Sequence, residues 1–117
     1  MLTLLYVDDE QINLDLMQLT YKRDFMVYKA LSGNEALRIL EEVEISVMLT
    51  DYKMPEMNGL ELIRKVKSKY PHIHCMLLTG YDELAIDIDL ETRNLISDFV
   101  QKPFKKGELK DLLLAKD

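Results

Sequence analysis

The chain has 117 residues, of which 48% are hydrophobic and 31% are charged. This length fits one domain over residues 1–117, and the apolar content excludes wholesale disorder. Fifteen Lys and Arg residues against 21 Asp and Glu residues give a net charge of −6. Direct binding to nucleic acid is therefore not expected, because phosphate backbones are bound by clustered positive charge.

Short apolar runs alternate with amphipathic stretches along the chain. Runs rich in strand-forming residues predict five strands, at 2–7, 25–30, 46–50, 73–79 and 99–101. Apolar residues at helical spacing predict five helices, at 11–23, 33–43, 59–69, 82–95 and 106–115. In the first helix Ile12, Leu16 and Leu19 share one face. This alternation predicts an α/β fold in which a parallel sheet is covered on both faces.

The fourth helical segment is less regular than the others. Leu84, Ile86, Ile88 and Leu90 alternate as in a strand, yet residues four apart also pair as in a helix. The position of the segment in the alternation favours a helix. Together with Leu95-Ile96, this segment has more apolar residues than one buried helix face requires. The excess indicates either a repacked core or a surface for a partner. We favour the repacked core.

Cysteine and histidine usage restricts the possible sites. Cys75 has no cysteine partner, so an internal disulfide is excluded, and we interpret it as a buried apolar residue. His72 and His74 lack a third His or Cys ligand, which favours a structural role. No apolar run approaches the ~20 residues that span a bilayer, and the apolar N-terminus has no basic flank. A soluble cytoplasmic location without membrane contact is expected.

Polar residues close the predicted strands at the sheet edge where ligands bind in such folds. They are Asp8-Asp9, Asp51, Thr79 and Lys102, in chain order. Two like charges 4 Å apart cost about 4 kcal/mol at an effective dielectric near 20, so converging carboxylates should bind a cation or gain protons. Few carboxylates and room for water suit Mg²⁺ better than Ca²⁺.

A metal held in this way usually also holds a phosphate. Lys102 can pair with the phosphate charge, Thr79 can donate a hydrogen bond, and Asp51 is placed to act as a nucleophile. Each of these residues alone would more often be a cap or a turn residue. Their ordered appearance at consecutive strand ends is difficult to attribute to capping.

The chain resembles the receiver domains of two-component response regulators over nearly its whole length. The likeness rests on LLYVDDE (4–10), SGNEALRIL (32–40), LTDYKMPEMNGLEL (49–62), LLTGY (77–81) and FVQKPF (99–104). It implies a flavodoxin-like (βα)5 three-layer sandwich with strand order 2-1-3-4-5. It also implies that a sensor histidine kinase or phosphotransfer protein donates a phosphoryl group, with no enzymatic activity beyond this self-phosphorylation and later autodephosphorylation.

Carried over position by position, the resemblance makes Asp51 the phosphoacceptor. Mg²⁺ or Mn²⁺ would be held by Asp51, directly by Asp9, through water by Asp8, and by the backbone carbonyl of Lys53. The likeness extends to the phosphoryl contacts, which would come from Thr79 and from Lys102.

The resemblance also implies a switch. Thr79 would move toward the phosphoryl group and Phe99 would swing inward as the switch aromatic. The Lys102–Pro103 bond would be cis. The fourth and fifth helices and the strand between them would then change their binding to an output partner, or form a homodimer.

Several positions depart from the usual pattern of the family. Lys53 places a cation two residues after Asp51, and Tyr81 follows Thr79 by two. Together they could restrict the attacking water and prolong the life of the phosphate, or both could point to solvent. Leu95-Ile96 replaces the frequent Gly-Ala, so the loop before the fifth strand must be built differently.

Other functions compete with this interpretation. A haloacid-dehalogenase type of phosphatase needs Asp-x-Asp, and Asp51 is followed at the second position by Lys53. A receiver-like interaction module that is not phosphorylated disagrees with the complete set of site residues, although Lys53 leaves it open. The chain could be a stand-alone regulator, or part of a longer regulator or hybrid kinase.

Overall fold

The computed structural model of the protein describes residues 1–80 and 87–116. Its strands are β1 (Thr3–Val7), β2 (Met26–Ala30), β3 (Val47–Asp51), β4 (His74–Thr79) and β5 (Asp98–Gln101). They alternate with α1 (Gln11–Tyr21), α2 (Gly33–Glu42), α3 (Gly59–Lys69), α4 (Leu90–Arg93) and α5 (Lys106–Leu114). All strands pair in parallel in the order β2-β1-β3-β4-β5, which confirms the predicted fold and topology.

Two hydrophobic clusters cover the two faces of the sheet. Leu5 and Val7 of β1 join the cluster under α2 and α3, whereas Leu4 and Tyr6 join the cluster under α1 and α5. Successive side chains of a strand point to opposite faces, so a continuous apolar run is what a doubly covered strand requires. Among the described helices, none has the length and apolar character needed to cross a membrane.

The buried face of α1 is not the one that its apolar spacing suggested. Ile12, Leu16 and Leu19 do share a face, but they are 69%, 56% and 65% exposed. Three other side chains pack this helix against the sheet: Leu14, Met17 and Tyr21. The helix is apolar on more than one side, and packing against the sheet selects the side that is buried.

The segment before β5 is less helical than predicted. Residues 87–89 are not helical and α4 has four residues, whereas residues 81–86, including Leu84 and Ile86, lie outside the described part. Ile88 and Leu95 pack on the core and Ile96 is buried in it. These contacts support the repacked-core interpretation for the residues that the structure describes.

Candidate functional site

The carboxyl edge of the sheet gathers the predicted polar residues. One carboxylate oxygen from each of Asp8, Asp9 and Asp51 lies within 4.8 Å of the other two. Asp8 and Asp51 are buried, at 0% and 7% exposure, and Asp9 is exposed. Lys102 directly follows β5, and its Nζ lies 3.0 Å from Asp51 Oδ1. Thr79, at the end of β4, is buried at the same edge.

Asp51 is a buried carboxylate whose charge is only partly balanced. Its Oδ1 accepts hydrogen bonds from Lys102 Nζ and from the backbone N–H of Tyr52, at 3.0 and 3.1 Å. Burial raises the pKa of Asp51, and the charge of Asp8 adds to this effect, whereas the Lys102 ammonium opposes it. Among the described residues both donors reach Oδ1, which leaves Oδ2 with lone pairs for another bond.

The donor set of this edge fits a hard divalent cation. Three carboxylates offer oxygen ligands, and Asp8 and Asp51 repel each other enough to contribute to the raised pKa of Asp51. A cation bound between them would remove this repulsion. The residues present therefore suit Mg²⁺ or Mn²⁺ in chemistry and arrangement.

Asp8 is held by neutral donors that our sequence reasoning did not identify. The hydroxyl of Tyr6 donates to Asp8 Oδ2 at 2.7 Å, and the amide of Asn13 donates to the same oxygen at 3.1 Å. The backbone N–H of Glu10 donates to Oδ1 at 2.9 Å. Burial, followed by the bond to Asp8, raises the pKa of Tyr6, so this phenol stays protonated as a donor. In sequence, Tyr6 is an ordinary apolar strand residue, and only its hydroxyl could have signalled the contact.

Glycine at position 59 allows α3 to begin against the end of β3. A β-carbon there would lie 2.4 Å from the backbone oxygen of Asp51 and 2.9 Å from Leu77 Cδ1. The Gly59 N–H donates to the backbone oxygen of Tyr52 at 2.8 Å. Asn58 caps the helix through a reciprocal capping box with Glu61. The Asn-Gly pair thus fixes the backbone that carries Asp51.

Of the other predicted residues that the structure describes, Lys102, Pro103 and Lys53 follow the ends of strands at this edge, and Phe99 lies within β5. The Lys102 backbone N–H donates to the backbone oxygen of Thr79 at 2.8 Å, and the Lys102–Pro103 peptide bond is cis. Phe99 is 43% exposed, with its ring centroid 5.5 Å from the Arg93 guanidinium carbon. Lys53 is exposed in the loop after β3, and Tyr81 lies outside the described residues.

Two other candidates lie away from this edge. Cys75 is buried in β4, and burial raises its pKa to about 12, which makes the thiol unreactive at neutral pH. His72 and His74 are exposed near the amino end of β4. Within the described ranges, the group of possible metal ligands is Asp8, Asp9 and Asp51.

Residues 4–114 match the family described as the response regulator receiver domain. Two curated proteins are similar over most of the chain. The sensor kinase CckA of Brucella abortus (strain 2308) is 35% identical over 114 residues, covering 92% of this chain and 12% of that protein. The hydrogenase transcriptional regulatory protein HoxA of Cupriavidus necator is 30% identical over 109 residues, covering 93% and 23%. The chain therefore spans less than a quarter of the length of either relative.

Solved structures of similar proteins share the whole fold. A response regulator receiver domain protein from Clostridium thermocellum superposes with a TM-score of 0.90 at 28% identity, covering 99% of this chain and 94% of that one. The response regulator TrrA of Thermotoga maritima, solved in complex with Mg²⁺ and BeF, superposes with a TM-score of 0.87 at 25% identity, covering 100% of both chains.

Proposed function

The chain belongs to the response regulator receiver domain family, a family of phosphoacceptor signalling domains that bind Mg²⁺ at an acidic site, and we propose that its phosphoacceptor is Asp51. The observation that carries this proposal is the environment of the Asp51 carboxylate, buried between an acidic pair and the Lys102 ammonium. We further propose that residues 1–117 form one receiver domain, and that it works in the cytoplasm.

In the proposed reaction Asp51 attacks the phosphorus of a phosphohistidine. A phosphorus–oxygen bond forms as the phosphorus–nitrogen bond breaks, and the electron pair returns to the imidazole of the donor. An ionised carboxylate has no proton to lose, so no general base is needed. Lys102 and Thr79 are proposed to contact the phosphoryl oxygens. Mg²⁺ or Mn²⁺, held by the acidic residues and the Lys53 carbonyl, supplies charge neutralisation when bound.

We propose that the chain takes part in two reactions, both on its own Asp51: phosphorylation and the later loss of the phosphoryl group. Water hydrolyses the acyl phosphate and returns Asp51 to its resting state. Lys53, which is exposed at the rim, and Tyr81, which lies outside the described residues, are proposed to slow this step. That slowing stays a prediction, and a phosphate half-life of seconds at room temperature would contradict it.

Intact-mass measurement after incubation with acetyl phosphate and Mg²⁺ tests the proposal. We expect one added phosphoryl group on the wild type, and none on Asp51→Asn or when EDTA replaces Mg²⁺. Asp15→Asn is the matched control, because it removes an exposed carboxylate from α1 and should leave labelling intact. An adduct that persists on Asp51→Asn would contradict our assignment. Absence of any adduct, under conditions that label another receiver domain, would favour the interaction module that is not phosphorylated.

The output face is proposed to include α4, β5 and α5. Phe99 lies on β5 beside the Arg93 guanidinium. In the pairing of β5 with β4, Thr79 lies opposite Gln101 and Phe99 lies opposite Leu77. A movement of Thr79 toward a phosphoryl group can therefore be transmitted through this strand pair to Phe99. The exposed side chains of Leu90 and Leu114 give this face an apolar surface, which suits an output partner or a second copy of the chain.

The exposed apolar face of α1 is proposed to bind the phosphodonor, a sensor histidine kinase or phosphotransfer protein. A protein donor must rest on the rim of the site, because Asp51 is only 7% exposed. The α1 helix begins two residues after Asp9, and Leu16 lines a groove of about 360 Å³ that reaches Lys102 and Phe104. An apolar surface at this place suits the apolar side of a partner helix.

Leu16→Ser should slow phosphoryl transfer from a donor protein about tenfold, the effect of losing about 1.4 kcal/mol of contact. The side chain is 56% exposed, so the fold should be unaffected. The measurement compares labelling by an autophosphorylated histidine kinase that labels the wild type with labelling by acetyl phosphate, which should not change. Leu114→Ser, at a side chain that is 47% exposed on α5, is the control. Equal slowing with both donors would contradict a docking role for α1.

A further inference from the structure

We infer that Tyr6 and Asn13 are positioning residues for metal binding, which act by fixing Asp8 so that only its Oδ1 faces a cation or the water bound to it. The inference rests on the proposed metal site. It concerns two residues that the proposed function does not otherwise use, one on β1 and one on α1.

The hydrogen bonds of Asp8 determine which of its oxygens can take a ligand. Oδ2 accepts from Tyr6 Oη at 2.7 Å and from Asn13 Nδ2 at 3.1 Å. Each carboxylate oxygen has about two acceptor sites, so these two donors fill Oδ2. Among the described residues, Oδ1 accepts only from the Glu10 N–H, at 2.9 Å, and one of its acceptor sites is left for a ligand. Asp8 can therefore bind a cation, or a water on that cation, only through Oδ1.

The donor from β1 is held rigidly. Tyr6 is 3% exposed and its ring packs in the hydrophobic cluster under α1 and α5. Its hydroxyl can move little relative to the sheet, and it orients a carboxylate that is itself fully buried. Asn13 makes its contact from α1, so the carboxylate is fixed from two elements at once. Such outer contacts typically change metal affinity by about 10–100-fold.

The two buried carboxylates of the site are stabilised in different ways. Asp51 is paired with the Lys102 ammonium, a cation that repels an incoming metal ion. Asp8 is stabilised by the neutral donors Tyr6 and Asn13, which lower the cost of burying its charge without opposing a second cation. The hydrogen bonds that hold Asp8 through Tyr6 and Asn13 therefore place no positive charge next to the metal.

Isothermal titration of the metal-free chain with Mg²⁺ at pH 7 tests this inference. We expect Tyr6→Phe to raise the Kd about tenfold, and Asn13→Ala to raise it by about threefold or more. Tyr21→Phe is the matched control, because it also removes a buried phenol, one that donates to the Lys106 oxygen at 3.0 Å. Its Kd should stay within about twofold of the wild-type value.

A double-mutant cycle distinguishes positioning from general damage. In the Asp8→Asn background, Tyr6→Phe should cause no further loss of Mg²⁺ affinity, because its effect passes through that carboxylate. An equal loss in both backgrounds, or an unchanged Kd for Tyr6→Phe and Asn13→Ala, would overturn the inference and leave the proposed function standing. A wild-type chain that binds no Mg²⁺ would overturn both. Because Asn13 is half-exposed on a helix, its variant keeps the test valid if Tyr6→Phe unfolds.

Discussion

Replacing Lys102 with methionine is expected to slow phosphorylation of Asp51 by acetyl phosphate about 100-fold, the usual cost of removing one charge-stabilising donor from a transfer site. The Lys102 ammonium lies 3.0 Å from Asp51 Oδ1, and its side chain is only 37% exposed. Methionine keeps a similar length and removes the charge. Because the chain has no tryptophan to report on the reaction, the rate is measured by intact mass at quenched time points.

The same substitution should tighten Mg²⁺ binding, on the order of tenfold. A monovalent and a divalent cation a few ångströms apart repel by about 1–2 kcal/mol even in bulk water, and 1.4 kcal/mol is a factor of ten. Slower transfer with tighter metal binding is a combination that loss of structure would not produce. Lys106→Met removes an exposed positive charge from the start of α5 and should change neither quantity. Weaker metal binding in Lys102→Met would show that this lysine organises the site instead of competing for it.

The polar residues that meet at the sheet edge were predictable from sequence because strand ends are easily recognised. The first, third, fourth and fifth apolar runs stop at polar residues, and parallel strands bring their carboxyl ends to one edge. Asp8, Asp51 and Lys102 accordingly lie together as expected. The contacts of Tyr6 and Asn13 with Asp8 depend on side-chain directions that no spacing rule contains, so they were found only in the structure.

The fold was predicted down to strand order, and its less regular parts were not. In α1, Ile12, Leu16 and Leu19 match helical spacing as well as the buried residues do, so periodicity alone cannot say which face is covered. In the segment before β5, the preference of the residues is ambiguous between strand and helix. In the described part of that segment, Ile96 is buried in the core and Ile88 packs against it, which periodicity alone did not indicate.

Asp51→Asn is expected to raise the melting temperature of the metal-free protein at pH 7 by several degrees, at roughly 4 °C per kcal/mol for a domain of this size. Burial and the charge of Asp8 raise the pKa of Asp51 in the folded state. A group with a raised folded pKa favours folding when protonated and opposes it when ionised. At pH 7 the carboxylate therefore lowers stability, and asparagine removes that cost. Thermal unfolding in EDTA measures the difference.

The pH and metal dependence of this gain identify its cause. The advantage of Asp51→Asn should shrink as the pH falls through the raised folded pKa, and should vanish below the unfolded value of about 3.9, where both side chains are neutral. Mg²⁺ should shrink it too, because the wild type gains more free energy by binding the ion. Asp15→Asn should have the opposite sign, since hydrogen bonds from Lys29 and then Gln11 lower the pKa of Asp15. Loss of stability in Asp51→Asn at pH 7 would contradict this explanation. It would mean that the ion pair with Lys102 stabilises the fold more than burial of the Asp51 charge beside Asp8 destabilises it.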